Sequence, residues 1–149
     1  DAGADAVQLF DSWAGGMPEA VTRAVSIKPL ESIAERLKAT RPDTPIILFP
    51  KGAGAFLGDY AMIKACDAVG IDYGTPWSAA LTMISPHAAV QGGLDPMLVV
   101  HGGGAMEKAA RGLIEAFRGA PFIFNLGHGL TPDTPPGNVA RLVEIVREG

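Results

Sequence analysis

Pro121-Phe122-Ile123-Phe124-Asn125-Leu126-Gly127-His128-Gly129 joins an apolar run to a glycine-flanked histidine. A run this short, rich in aromatic and β-branched residues, suits a strand buried on both faces. The glycines let the chain turn sharply, so the imidazole arrives at the strand's carboxyl end. The same arrangement recurs upstream. Val7-Gln8-Leu9-Phe10, Pro45–Phe49, Val69–Tyr73 and Ala88–Gln91 each read as a strand. Polar groups follow at Asp11/Ser12, Lys51, Asp72/Tyr73, Gln91 and Asn125/His128.

Helical spacing fills the intervals. Leu30, Ile33 and Leu37 share one face before Pro42, and Phe56–Ala68 offers Phe56, Tyr60, Ile63 and Ala65/Cys66. Gly74-Thr75-Pro76 resembles a helix start with Thr75 as cap and Pro76 in the first turn. Met106, Ala109/Ala110, Leu113 and Phe117 repeat next, and a last helix follows Thr134-Pro135 with Val139, Leu142, Val143 and Val146 on its packed face. Parallel strands require such crossovers. The expected fold is α/β: an incomplete (β/α)8 TIM barrel of five strand-helix units, with residues 1–149 part of one barrel domain. A doubly wound sheet is the competing arrangement, but no Gly-x-Gly-x-x-Gly follows a strand here, and Gly102-Gly103-Gly104 is the wrong pattern.

Composition narrows the function. The formal net charge is −4 and basic residues are dispersed, which argues against a nucleic-acid partner. No apolar run is long enough to span a bilayer, and Asp1-Ala2-Gly3 lacks the basic flank of a targeting segment. Cys66 is the single cysteine, which fits a reducing compartment, and its apolar context favours a core thiol. The three histidines lack a compact ligand pattern and Cys66 cannot supply a thiolate cluster, so no metal set stands out.

His128 is the leading candidate for chemistry, because imidazole can donate a hydrogen bond, face a carboxylate as a cation or move a proton. It would equally satisfy loop carbonyls. Ser12 could hold a substrate carboxylate through its hydroxyl, with Asp11 orienting it; alternatively Asp11 and Ser12 only close a turn. Trp13 could cover a pocket or pack on a rim, Asp72, Tyr73 and Gln91 could line a site or a barrel network, and Lys51 could meet an anion or water. His87 and His101 read as surface residues, and Asp133 as a turn former before the last helix.

Leu9-Phe10-Asp11-Ser12-Trp13-Ala14-Gly15, Val69-Gly70-Ile71-Asp72-Tyr73-Gly74-Thr75-Pro76, Gln91-Gly92-Gly93-Leu94-Asp95-Pro96 and Phe124-Asn125-Leu126-Gly127-His128-Gly129 together resemble the uroporphyrinogen decarboxylase family, its C-terminal portion. Pro132-Asp133-Thr134-Pro135-Pro136 extends the resemblance. It implies a cofactor-independent lyase: a cytosolic homodimer of TIM barrels that removes the acetate carboxyl groups of uroporphyrinogen to give coproporphyrinogen. It also implies substrate binding by Ser12 and His128, with a catalytic role for His128. The family's pyrrole-facing aspartate, arginine and tyrosine map before Asp1, so the isolated chain is expected to be inactive. Phe49-Pro50-Lys51-Gly52 departs from a glycine-arginine-glycine run, and Gly93 stands where asparagine is common. The alternatives are a corrinoid-linked methyltransferase on a related barrel, and a noncatalytic scaffold fragment.

Overall fold

The computed structural model describes residues 3–149; the opening Asp1-Ala2 lies outside them. Strands β1 (Val7–Asp11), β2 (Ile46–Pro50), β3 (Ala68–Ile71), β4 (Ala89–Gly92) and β5 (Phe122–Ile123) form one sheet in that order. Every neighbouring pair is parallel. A doubly wound sheet reverses its strand order partway across. Here each strand adds to the same side of its predecessor, as in a (β/α) barrel.

Register separates the two faces. Leu9, Leu48, Val69, Val90 and Phe122 align across the five strands. Leu48, Val69 and Val90 are fully buried in the core beneath the helices. The opposite face presents Gln8, Phe10, Phe49, Gly70 and Gln91. There the Gln91 Nε2 donates to Gln8 Oε1 at 3.1 Å, joining β4 to β1 over the two strands between them. In a flat sheet those strands would lie roughly 14 Å apart. The amides meet because the sheet curls, and Gly70 makes room, since a Cβ there would stand 2.7 Å from the Phe49 ring.

The helices are α1 (Glu19–Thr22), α2 (Lys28–Thr40), α3 (Leu57–Ala61), α4 (Trp77–Met83), α5 (Pro96–His101), α6 (Gly103–Ala116) and α7 (Pro136–Glu148). A five-residue π-helix, Arg23–Ile27, joins α1 to α2. Several expectations change. The helix expected over Phe56–Ala68 is only Leu57–Ala61 after a short 3₁₀ turn, and Ala68 already belongs to β3. Tyr60, Ile63, Ala65 and Cys66 are all buried, but turns rather than helix bring the last three inward. On α2, Ala34 takes the buried position and Ile33 faces outward. Thr75 caps no helix; its hydroxyl donates to Asp72 Oδ1, and α4 begins after Pro76 without a side-chain cap. The Gly92–Pro96 turn leads into α5, whose N-cap Asp95 accepts from the Met97 amide.

α6 packs Met106, Ala110 and Leu113 inward, and Phe117 stacks on Phe122 at 4.3 Å. Each large apolar side chain buried this way contributes about 2 kcal/mol. On α7, Leu142 and Ile145 are buried, while Val143 lies on the wall of an apolar groove of about 360 Å³ with Val139 and Val146. Arg141 ties α7 to α6 through a two-pronged pair with Glu107, at 2.9 and 3.1 Å.

Cys66 sits just before β3, its Sγ donating to the Ala68 carbonyl at 3.2 Å. Burial pushes the thiol up to about 12. Alkylation at pH 8 should therefore be slow in the folded chain and at least about a hundredfold faster in denaturant, where the thiol returns to its ordinary range. Equal labelling rates, followed by mass spectrometry, would contradict this placement.

Candidate active site

The sheet's carboxyl ends are knitted together by backbone. Gly15, after β1, lies against Gly52, after β2; a Cβ on Gly15 would fall 2.6 Å from the Gly52 carbonyl oxygen. The Gly52 amide donates to Asp72 Oδ2 at 2.7 Å, and Asp72 Oδ1 accepts from the Gly74 amide at 3.0 Å. Beyond β5, Gly127 comes so near the Asp72–Tyr73 peptide that a Cβ would stand 2.2 Å from the Tyr73 nitrogen. The Gly127 amide donates to the Leu94 carbonyl at 2.7 Å, beside the Leu94–Leu126 bridge that extends β4 and β5. The loops bearing Ser12 and His128 thus belong to one continuous rim.

Inside that rim, Gln8, Phe10, Phe49, Gly70, Gln91, Asn125, Leu126, His128 and Gly129 enclose a cleft of about 200 Å³. Phe10 and Phe49 meet edge to face at 5.8 Å on one wall. Gln8 and Gln91 bond to each other. His128 is the single ionisable side chain among these lining residues. A neutral amide floor, an aromatic wall and one imidazole suit an apolar ring bearing an acid group.

The sequence-selected residues take different places. His128 lines the cleft, whereas Ser12 occupies an exposed turn on the rim and does not line it. Asp11 faces the helices: Oδ1 accepts from the Trp13 amide at 3.0 Å and Oδ2 accepts from the Ser26 hydroxyl. Trp13 stands 87% exposed, neither covering the cleft nor packing on its rim. Asp72 is held by backbone and hydroxyl donors from its own loop and from Gly52, which gives it a structural task. Tyr73 is half-exposed, and Lys51 lies on the rim with its amide bonded to the Asp11 carbonyl. His87 and His101 are exposed. The Thr131 hydroxyl holds the Asp133 carboxyl below its ordinary range, within the turn before α7. Among the described residues, no three His, Cys, Asp or Glu side chains gather as a metal-ligand set.

Sequence reasoning placed Asn125 with His128 at the strand end, but missed Gln8 as a lining group and Ser26 as an anchor for Asp11. Gln8 alternates with Leu9 and could have been found from its period-2 position; nothing in the spacing of Ser26 pointed to Asp11. Gly93 has φ +98°, a region that glycine and asparagine enter most readily, so its departure from asparagine keeps the backbone demand.

Gly127 and Gly129 give a sharp comparison, because neither has positive φ. Gly127→Ala should destabilise the chain by about 3 kcal/mol, since backbone on both sides must move. Gly129→Ala meets nothing within 4 Å and should change stability by less than about 0.5 kcal/mol. Urea denaturation measures both, and equal values would contradict the close approach.

Comparison with known proteins agrees with this architecture. The uroporphyrinogen decarboxylase family model matches residues 1–149. A uroporphyrinogen decarboxylase of Rhodospirillum rubrum is 46% identical over 147 residues, which cover 99% of this chain and 42% of that protein. One of Sphingopyxis alaskensis is 47% identical over 147 residues, covering 99% and 43%. Another, from Chelativorans, is 46% identical over 149 residues, covering 100% and 43%. The chain therefore spans less than half the length of these curated relatives. It belongs to the uroporphyrinogen decarboxylase family.

Proposed function

We propose that the whole protein removes the acetate carboxyl groups of uroporphyrinogen, giving coproporphyrinogen and carbon dioxide in tetrapyrrole synthesis, without a metal or organic cofactor. The observation that carries this reading is His128, the one ionisable group lining a cleft of neutral amides and aromatic rings. Family membership supplies the substrate class.

Each decarboxylation must place the electron pair released as the carbon–carbon bond breaks. Protonation of the pyrrole first makes a ring that accepts this pair as carbon dioxide leaves. A second proton, delivered to the resulting exocyclic methylene, forms the methyl group, and loss of the first proton from the ring restores the pyrrole, so one proton is consumed for each carbon dioxide released. His128 suits the carboxylate-facing part of this sequence: it hydrogen-bonds the acid and can move a proton at the reacting arm. Ser12 lies farther out, where a macrocycle larger than a 200 Å³ cleft would extend its remaining acid arms. We assign Ser12 and His128 to substrate binding, and His128 also to catalysis.

By the same resemblance, residues 1–149 form part of a single barrel domain, and the whole protein is a cytoplasmic homodimer. No helix of the described residues is long and apolar enough to cross a membrane. The net charge of −4 supports a small-molecule partner over nucleic acid. A thiol-activating zinc site like that of the corrinoid-linked relatives is disfavoured by Cys66, which lies buried at the amino end of β3, away from His128.

The test uses this chain alone and a completed protein in which it replaces the matching 147 residues of the Rhodospirillum rubrum relative. The chain alone should bind porphyrinogen weakly and convert almost none, since its five-stranded sheet does not close into a barrel. The completed protein should release carbon dioxide and form coproporphyrinogen, and His128→Ala should lower its kcat by about a hundredfold. Full turnover by the His128 variant would end the assignment; strong turnover by the isolated chain would end the claim that the open sheet is insufficient.

A further inference from the structure

Behind the Ser12 turn lies a buried hydroxyl relay that the chemistry above does not use. Ser26, in the π-helix, is 1% exposed and Tyr60, on α3, is 0% exposed. Their oxygens stand 2.6 Å apart, and the Ser26 hydroxyl donates to Asp11 Oδ2. An ionised carboxylate only accepts, and a serine hydroxyl has one proton. The chain therefore runs one way: Tyr60 donates to Ser26, and Ser26 donates to Asp11. Burial pushes the Tyr60 phenol above its ordinary range, keeping it a donor.

Asp11 closes the connection. Its other oxygen accepts from the Trp13 amide at 3.0 Å, so the carboxylate is clamped between the helical layer and the turn that presents Ser12. Neighbouring contacts hold the π-helix against α3: Arg23 pairs with Asp59 at 2.7 Å, and its guanidinium lies 5.9 Å from the centre of the Phe56 ring. A π-helix inside a longer helix occurs frequently at functional sites because its wider turn re-aims side chains. Here it supplies the serine that meets Asp11.

We infer that Ser26 and Tyr60 are positioning residues, whose relay through Asp11 fixes the Ser12 turn for the substrate's carboxylates. This rests on the reading of Ser12 as a substrate contact. Two measurements separate the claims. Hydrogen exchange at the Trp13 amide, in the 149-residue chain, reads the relay directly. KM and kcat for uroporphyrinogen, in the completed protein, read its consequence.

Ser26→Ala should speed Trp13 exchange about tenfold, as loss of a charge-assisted anchor does, with α7 amides unchanged. It should raise KM about tenfold while kcat stays within about threefold. Tyr60→Phe keeps the ring and shifts both readouts the same way by a smaller factor; it also serves if Ser26→Ala does not fold. Unchanged Trp13 exchange in the folded variants overturns the relay, whatever the kinetics. Faster exchange throughout the chain marks general loosening and overturns it too. If Ser12→Ala raises KM but the relay variants do not, the positioning role fails and the substrate reading stands. If Ser12→Ala leaves KM unchanged, the substrate reading fails, and with it the relay's role toward substrate.

Discussion

At Gly127 a hydrogen stands where any other residue would put a carbon 2.2 Å from the Tyr73 amide nitrogen. That approach lets the loop after β5 lie directly on the loop after β3, and it sets where His128 is presented. The same device recurs between Gly15 and Gly52, and Asp72 links those two regions by accepting from the Gly52 amide. Backbone thus meets backbone along the carboxyl ends of the strands. Few side chains are spent on holding the rim, so His128 and Ser12 remain available to a ligand. Loop geometry fixed by main-chain contact also leaves little freedom to be lost on binding.

Alternation along a parallel strand gives neighbouring residues different tasks. Phe10 turns toward the cleft and is 65% exposed, while Asp11 turns toward the helices and meets Ser26. On β3, Gly70 opens the concave face, and its neighbours Val69 and Ile71 are sealed in the core. One division by pleat therefore separates the groups that face the cleft from those that hold them.

The strands were legible because a short apolar run that ends in a polar turn fits a parallel strand, although β1 and β5 leave Phe10 and Ile123 exposed rather than buried on both faces. His128 was legible for a related reason: glycines on both sides of a histidine, directly after such a run, place it at a strand's carboxyl end. The stretch around Ile63 and Cys66 was less transparent. Its apolar spacing reports burial, and turns can bury side chains as completely as a helix does. Asp72 resembled a ligand-binding carboxylate because one of its partners, the Gly52 amide, belongs to another loop and leaves no trace in spacing, although Gly74 and Thr75 stand at turn spacing after it. Ser26 was silent for the same reason, since its partner Asp11 lies fifteen residues away on the strand that the helix covers. The short helix α5 went unread because glycines lie on both sides of so brief a segment, although Asp95 is a recognisable cap.

The unequal margins of the sheet give the molecule a direction around its circumference. β1 presents a five-residue ladder on one side, and β5 a two-residue ladder on the other. All strands point the same way, so the margins are complementary rather than equivalent. Any strand joining this sheet in the parallel sense must therefore run as β1 and β5 do, so strand polarity alone dictates how neighbouring chain can extend it.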